Sequence, residues 1–369
     1  MGANPRVMRD RTQLALSAAA SFTIVAAPAA LAAFDPAVDY PVGDRPSSIA
    51  VSDFDRDGEL DLAVANTDDN DVSILEGRRN GSFKDKVDYQ VGVDPSSVAV
   101  GDFTGNGRLD LAVTNRADDQ VSILPGAANG TFSDRADHEV GNSPTSLTVG
   151  DFDRDGRRDL AVASTSDDVV SILEGKADGS FKPKVDYPVG GDPEWVAVSD
   201  FNRDGRHDLA TANSFSADVS ILLGKADGSF KPRVDYPVAS DAFSIAVSDF
   251  DRDGTRDLAV AGGDVSILEG RPNGTFKPKV DYPAGNDPVS VVASDFNRDG
   301  IRDLAVANEN DANVSILRGR ANGTFKPPND LPVGAQPNTV VAGTFNRDGR
   351  RDLAVANGGD DDVSALINR

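Results

Sequence analysis

The sequence predicts an all-β fold, a seven-bladed β-propeller with four antiparallel strands per blade and a ring closed by the N-terminal strand completing the last blade. Three observations predict it. An acidic, glycine-containing loop recurs seven times, beginning at Asp53, Asp102, Asp151, Asp200, Asp249, Asp295 and Thr344, at spacings of 49 residues broken once by 46. Each unit carries four short apolar runs separated by turn residues, and no helical periodicity appears after residue 33. The seventh unit stops after its third run, while a copy of the missing fourth stands at the front of the chain: Phe34 to Gly43 matches Phe181 to Gly190.

The first residues belong to none of this. Arg6, Arg9 and Arg11 precede an Ala-rich apolar run from Leu14 to Ala27, and Ala30-Leu31-Ala32 offers a small-residue cleavage pattern. This order reads as a secretory signal peptide over residues 1–32. The run is too short to cross a bilayer as a helix. The expected mature chain is a monomer outside the cytoplasm, secreted, or periplasmic if the source is Gram-negative, with residues 34–369 forming one propeller. Its formal charge moves from −23 to −25 when the leader is removed. Such an acidic surface excludes nucleic acid and anionic membranes as partners and attracts cations. The lack of cysteine excludes disulfides and thiolate metal sites.

The first unit sets the pattern. Ser47 to Phe54 is a strand that enters the acidic loop, and Leu62 to Asn66 leaves it. The acidic turn Thr67 to Asp71 precedes a third strand, Val72 to Leu75. Asn80-Gly81 then suits a type I′ hairpin turn into a fourth strand from Phe83 to Val91. The fifth unit is three residues shorter in its second turn, around Ala261-Gly262-Gly263-Asp264, which leaves its acidic loop intact.

In the first loop, acids stand at positions 1, 3, 5 and 9 (Asp53, Asp55, Asp57, Asp61), with Gly58 at position 6 and Glu59 offering its carbonyl at position 7. A hard cation such as Ca²⁺ needs six to eight oxygens, and alternate acids in a tight turn can wrap one. The third loop repeats the full set with Asp151, Asp153, Asp155, Arg157 and Asp159, and the fifth with Asp249, Asp251, Asp253, Thr255 and Asp257. The fourth (Asp200, Asn202, Asp204, Arg206, Asp208) and sixth (Asp295, Asn297, Asp299, Ile301, Asp303) put an amide at position 3, keeping an oxygen but losing a charge. The second keeps only Asp102, Asn106 and Asp110, and the seventh Asn346, Asp348 and Asp352. The expectation is about five good Ca²⁺ sites and two weak ones, with structural ions, because each loop saturates its ion with protein oxygens.

The run Ala50-Val51-Ser52-Asp53-Phe54-Asp55-Arg56-Asp57-Gly58, closed by Asp61-Leu62-Ala63-Val64, resembles the FG-GAP/VCBS repeats of integrin-α-type seven-bladed propellers. The likeness covers residues 34–369. It implies calcium between the first and second strands of a blade and partners on the opposite face, which would hold Asp68, Asp69, Asp118, Asp119 and the turn near Trp195.

The remaining candidates carry less. Tyr40, Tyr89, Tyr187, Tyr236 and Tyr282 share one repeat position and read as blade packing, whereas Trp195 has no counterpart and reads either as partly buried between blades or as a ligand anchor. His207 lies in the fourth loop where other units have Arg or Leu, and reads as solvated. No nucleophile elbow and no unrepeated acid, base and Arg cluster appears. The predicted function is therefore a calcium-binding scaffold for an extracellular protein or polysaccharide ligand. A lectin-like polysaccharide binder is the alternative, followed by a secreted polysaccharide lyase or hydrolase.

Overall fold

The computed structural model describes residues 34–369, so the expected signal peptide lies outside the described residues. Seven four-stranded antiparallel sheets follow one another along the chain. In the first blade the strands are Pro46–Ser52, Asp61–Asn66, Asp71–Leu75 and Val87–Gln90, paired in sequence order. The two middle strands are buried along their whole length, reading Leu-Ala-Val-Ala and Val-Ser-Ile-Leu. Small and branched residues alternate there because each sheet is covered on both faces by its neighbours. The last blade consists of Pro337–Gly343, Asp352–Asn357, Asp362–Leu366 and the N-terminal strand Val38–Pro41, which pairs antiparallel with Asp362–Leu366.

One polar string crosses each of several blades. In the first, Asn66 donates to Ser73 at 2.8 Å and Ser73 to Asp88 at 2.7 Å. In the last, Asn357 donates to Ser364 and Ser364 to Asp39, 2.7 Å away on the N-terminal strand. The Asp of the repeated Val-Asp-Tyr strand thus satisfies a buried hydroxyl, which would otherwise cost about 1–3 kcal/mol.

Aromatic rings staple blade to blade. Phe132 of the second blade meets Phe54 and Tyr89 of the first edge-on, at 5.5 and 5.4 Å. The same triad recurs as Phe230 with Phe152 and Tyr187, Phe276 with Phe201 and Tyr236, and Phe325 with Phe250 and Tyr282. This is the blade packing expected of the tyrosines. His138 holds the tyrosine position in the second blade, edge-on to Phe181 at 5.1 Å. Phe34 supplies the staple for the last blade, 6.1 Å from Phe296.

Two local readings change. The fourth strand starts at Val87, and Phe83 instead forms a lone bridge with Gly77. The hairpin before it is not type I′, since only Gly81 has positive φ (81°). Gly81 donates to the Arg78 carbonyl and Arg78 to that of Ser82, the three-residue form with a bulge at glycine. Asn80 serves by accepting the Ser82 N–H at 3.2 Å and the Ser82 hydroxyl at 2.7 Å.

Candidate metal centre

The acidic loops join the first and second strands of each blade. Asp61, at position 9, lies at the start of the second strand and accepts the N–H of Phe54 and of Gly77, both at 2.8 Å. Asp110, Asp159, Asp208, Asp257, Asp303 and Asp352 do the same in their blades. Burial pushes the carboxyls of Asp61, Asp159, Asp208, Asp257 and Asp303 up to about 6, against the pull of those two donors, and the neighbouring loop acids push the same way. Position 9 is thus a staple between loop and hairpin as well as a potential ligand.

Position 1 divides the loops into two kinds. Asp53 accepts the Gly58 N–H on Oδ2 at 2.9 Å, while its Oδ1 is buried without a hydrogen-bond partner; Asp151 and Asp249 repeat this. In the fourth and sixth loops the second oxygen is engaged, because Asp200 and Asp295 each accept the position-5 N–H at 3.1 Å. In the second loop Asp102 accepts the Asn106 N–H at 3.0 Å. The orphaned oxygens therefore occur where position 3 is a carboxylate.

Three carboxylate groups converge within 4.8 Å among the described residues: Asp53, Asp55 and Asp57; Asp151, Asp153 and Asp159; Asp249, Asp251 and Asp257. Two like charges about 4 Å apart repel by about 4 kcal/mol at an effective dielectric near 20. Carboxylate oxygens, a buried lone pair without a donor and a glycine turn fit a hard divalent cation. In these loops Asp55, Asp57, Asp153, Asp155, Asp251 and Asp253 supply positions 3 and 5, with the carbonyls of Glu59, Arg157 and Thr255 at position 7. The fourth and sixth loops offer Asn202, Asp204, Arg206 and Asp208, and Asn297, Asp299, Ile301 and Asp303, in turns closed by their own hydrogen bonds. Asp110, Asn346, Asp348 and Asp352 remain in the two incomplete loops.

The opposite face treats its acids differently. Asp69 accepts the Asp44 N–H at 2.9 Å and Asp118 that of Val93 at 2.7 Å, so both tie a turn to the connection entering its blade. Asp119 accepts the Ser143 N–H at 2.8 Å from the next blade, and Asp68 pairs with Arg45 at 3.2 Å. Trp195 lies inside the first strand Pro193–Ser199, opposite Ala212, rather than on a turn, and it borders the axial channel. His207 is half-buried, and its Nδ1 accepts the Asp151 N–H at 3.3 Å, bracing the third loop from the fourth instead of facing solvent.

One set of residues went unnoticed in the sequence although its signal was there. Arg occupies position 4 in six of the seven loops, always with positive φ, as Arg56, Arg154, Arg203, Arg252, Arg298 and Arg347. Arg203 donates to the Asp253 carbonyl of the next loop at 3.1 Å; Arg56 and Arg252 reach Gly107 and Gly300 in the same way. The recurring Arg-Asp-Gly was the visible sign.

Comparison with known proteins places this geometry. Among curated proteins none matches the chain. Solved structures of similar fold include BBS1N in complex with ARL6DN, soaked with mercury, at 12% identity over 92% of this chain and 97% of that one, with a TM-score of 0.64. A Lactobacillus plantarum protein aligns at 15% identity over 80% and 86% of the two chains, TM-score 0.62. An Agrocybe aegerita lectin with specific recognition of non-reducing terminal N-acetylglucosamine aligns at 15% identity over 89% and 97%, TM-score 0.55. The family model of the FG-GAP-like repeat matches residues 53–113, 102–162, 151–211, 200–260, 249–306 and 295–355, each window running from one acidic loop through the next loop into the second strand of the following blade. With those windows overlapping from Asp53 to Val355, the chain belongs to the FG-GAP repeat family.

Proposed function

We propose that this protein is a secreted binding scaffold whose blades are braced by calcium in the acidic loops and whose opposite face meets a protein or surface ligand. The observation that carries the calcium is the buried, unpartnered oxygen on Asp53, Asp151 and Asp249, each inside a group of convergent carboxylates. The first, third and fifth loops hold the tightest ions, the fourth and sixth weaker ones, and the second and seventh the weakest. Extracellular modules bind calcium with dissociation constants of about 0.1–1 mM. At about 1 mM calcium each such site adds roughly 0.4–1.4 kcal/mol by mass action.

A binding role rather than catalysis fits Asp69, Asp118 and Asp119 of the upper face, which are spent on backbone N–H groups of turns and connections. Membrane insertion by a helix is not part of the proposal, and no helix among the described residues is long and apolar enough to cross. The test is capture of ligand from the native surface or matrix on immobilised protein, with calcium and with chelator. Calcium-dependent capture of a defined protein or glycan is expected; turnover of a polysaccharide would overturn the binding role.

A polysaccharide ligand is the second reading. It is favoured by a rim cavity of about 630 Å³ between the third and fourth blades, lined by Tyr187 and Phe230 with Lys225 and Lys231. The Agrocybe aegerita lectin of similar fold lends it a precedent. A glycan array separates it from protein binding.

A further inference from the structure

The repeat itself reveals where the molecule departs from structural duty. One position at the entry to each first strand, after a proline in six blades and after Ala242 in the fifth, lines the upper mouth of the axial channel. In four blades it donates to the proline carbonyl of the next: Ser47 to Pro95 at 3.0 Å, Ser96 to Pro144 at 2.7 Å, Thr145 to Pro193 at 2.9 Å and Asn338 to Pro46 at 3.1 Å. In the fourth, fifth and sixth blades the same position is Glu194, Phe243 and Val289, none of which can donate this way as a carboxylate or hydrocarbon. One residue further on, Ser48, Ser146, Ser244 and Ser290 accept an N–H from the next blade, and Trp195 breaks that series. The departures are contiguous, occupying one sector of one cavity.

That cavity measures about 360 Å³, within the range of small-ligand sites. Trp195 and Phe243 give it aromatic surface. Four carboxylates face it, from Asp94, Glu194, Asp287 and Glu309, against the guanidinium groups of Arg116 and Arg45. Arg45 is already held by Asp68. Glu194 makes no hydrogen bond or ion pair among the described residues. Burial and then Asp192 hold its carboxyl above the usual range, opposed by Arg116; burial and then Asp287 do so for Glu309. An unpaired carboxylate and an indole lining one cavity supply the two attractions that stabilise an organic cation.

We propose that the axial mouth is a binding site for a cationic head group on an aliphatic stem, an alkylammonium or alkylguanidinium, seated between Glu194 and the rings of Trp195 and Phe243. This deepens the binding role proposed above by giving the ligand a chemistry. A lysine or arginine side chain of a partner and a free amine both present this group.

Trp195 is the only tryptophan, so the protein's indole emission reads this cavity directly. Full-length mature protein in calcium is titrated with n-butylammonium and n-butylguanidinium, with n-butanol and butyrate as neutral and anionic controls. A saturable change with the cations alone is expected, weakened about tenfold by Glu194→Gln, with the melting temperature of the variant confirming its fold. Lysine-bearing and norleucine-bearing tripeptides then distinguish a side chain from a free amine: tighter binding of the lysine peptide assigns the site to a partner's residue, and tighter binding of butylammonium assigns it to a small amine. Absence of a saturable change with any cation, an equal response to butanol, or an unchanged affinity in Glu194→Gln would overturn the site. Calcium-dependent capture, measured on the same protein, reports separately on the scaffold role, so loss of one leaves the other readable.

Discussion

Arg347, in the loop of the last blade, donates from Nη2 to the Asp57 carbonyl in the loop of the first at 3.1 Å, and its Nε lies 3.0 Å from the Glu59 carboxylate. It carries φ 58°, a conformation that costs an ordinary side chain about 1 kcal/mol. Its fellow arginines lie over the position-6 glycines of the loops that follow theirs: a Cβ on Gly205 would meet Arg154, and one on Gly254 would meet Arg203. A Cβ on Gly107 or Gly156 would meet nothing within 4 Å; Arg56 still reaches the Gly107 carbonyl, whereas Gly156 has no arginine before it, because the preceding loop has Gly105 where the others have arginine. Arg347→Ala keeps the backbone cost and removes the latch, so it should cost about 1 kcal/mol, or roughly 2 °C of melting temperature. Gly105→Arg should be more stable than Gly105→Ala by a similar amount, since both take on the backbone cost at φ 68° and only arginine completes the circle. Scanning calorimetry on these variants checks this, and no difference in either comparison would remove the latch from the account.

The orphaned oxygen makes a prediction whose sign depends on metal. In chelator, Asp151→Asn removes a charge from a crowded group and should leave stability unchanged or raise it slightly. In calcium the same variant should lose about 1 kcal/mol and one tight binding equivalent. Asp200→Asn, in a loop already closed by its own N–H groups, should show a smaller contrast. Paired melting curves and calorimetric titrations read both effects.

His138 stands where five other blades carry tyrosine, and burial holds its imidazole below the usual range, partly opposed by Asp137. The depressed value means that protonation favours the unfolded chain. Its contribution is full above about pH 6.5 and lost as pH falls below that. His138→Tyr should therefore stabilise the protein by about 0.5–1.5 kcal/mol, the worth of an aromatic pair. Its advantage over the parent should widen between pH 7 and pH 5. A constant or shrinking difference on acidification would contradict this.

The N-terminal strand gives a fourth expectation. Removing residues 34–42 would strip Phe34 from Phe296, Asp39 from the Ser364 hydroxyl and the ladder partners from one edge of Asp362–Leu366, leaving it paired with Asp352–Asn357 alone. Loss of a cooperative melting transition is expected, while Phe34→Ala alone should cost about 2 kcal/mol. Circular dichroism melts decide it.

The ring was legible because each structural residue is written several times. The loop acids, the five tyrosines and the displaced Phe34-to-Gly43 strand recur at a fixed period, and periodicity survives ignorance of contacts. Turn chemistry was less legible, since Asn80-Gly81 is compatible with two hairpin forms and only the dihedral of Asn80 separates them. The difference between the three fully acidic loops and the fourth and sixth was visible as Asp against Asn. Its consequence, an oxygen orphaned in one kind and hydrogen-bonded in the other, depends on side-chain rotation that composition does not specify. Trp195 was recognised as unrepeated but misplaced onto a turn, because the break in pattern lies within a strand whose inner edge faces the axis. The position-4 arginines recur as plainly as the acids, but an arginine among carboxylates suits solvent as well as a contact, and only the fold brings the next loop's carbonyl within its reach.

The most direct measurement is the melting transition of the mature protein in about 2 mM calcium and after exhaustive chelation, with ion stoichiometry determined by calorimetry on the same sample. The account predicts at least three tight ions and a transition lower by several degrees once they are removed, with Asp53→Asn, Asp151→Asn and Asp249→Asn together abolishing the tight ions and most of the difference. Identical transitions with and without calcium, or tight binding that survives the triple substitution, would contradict it.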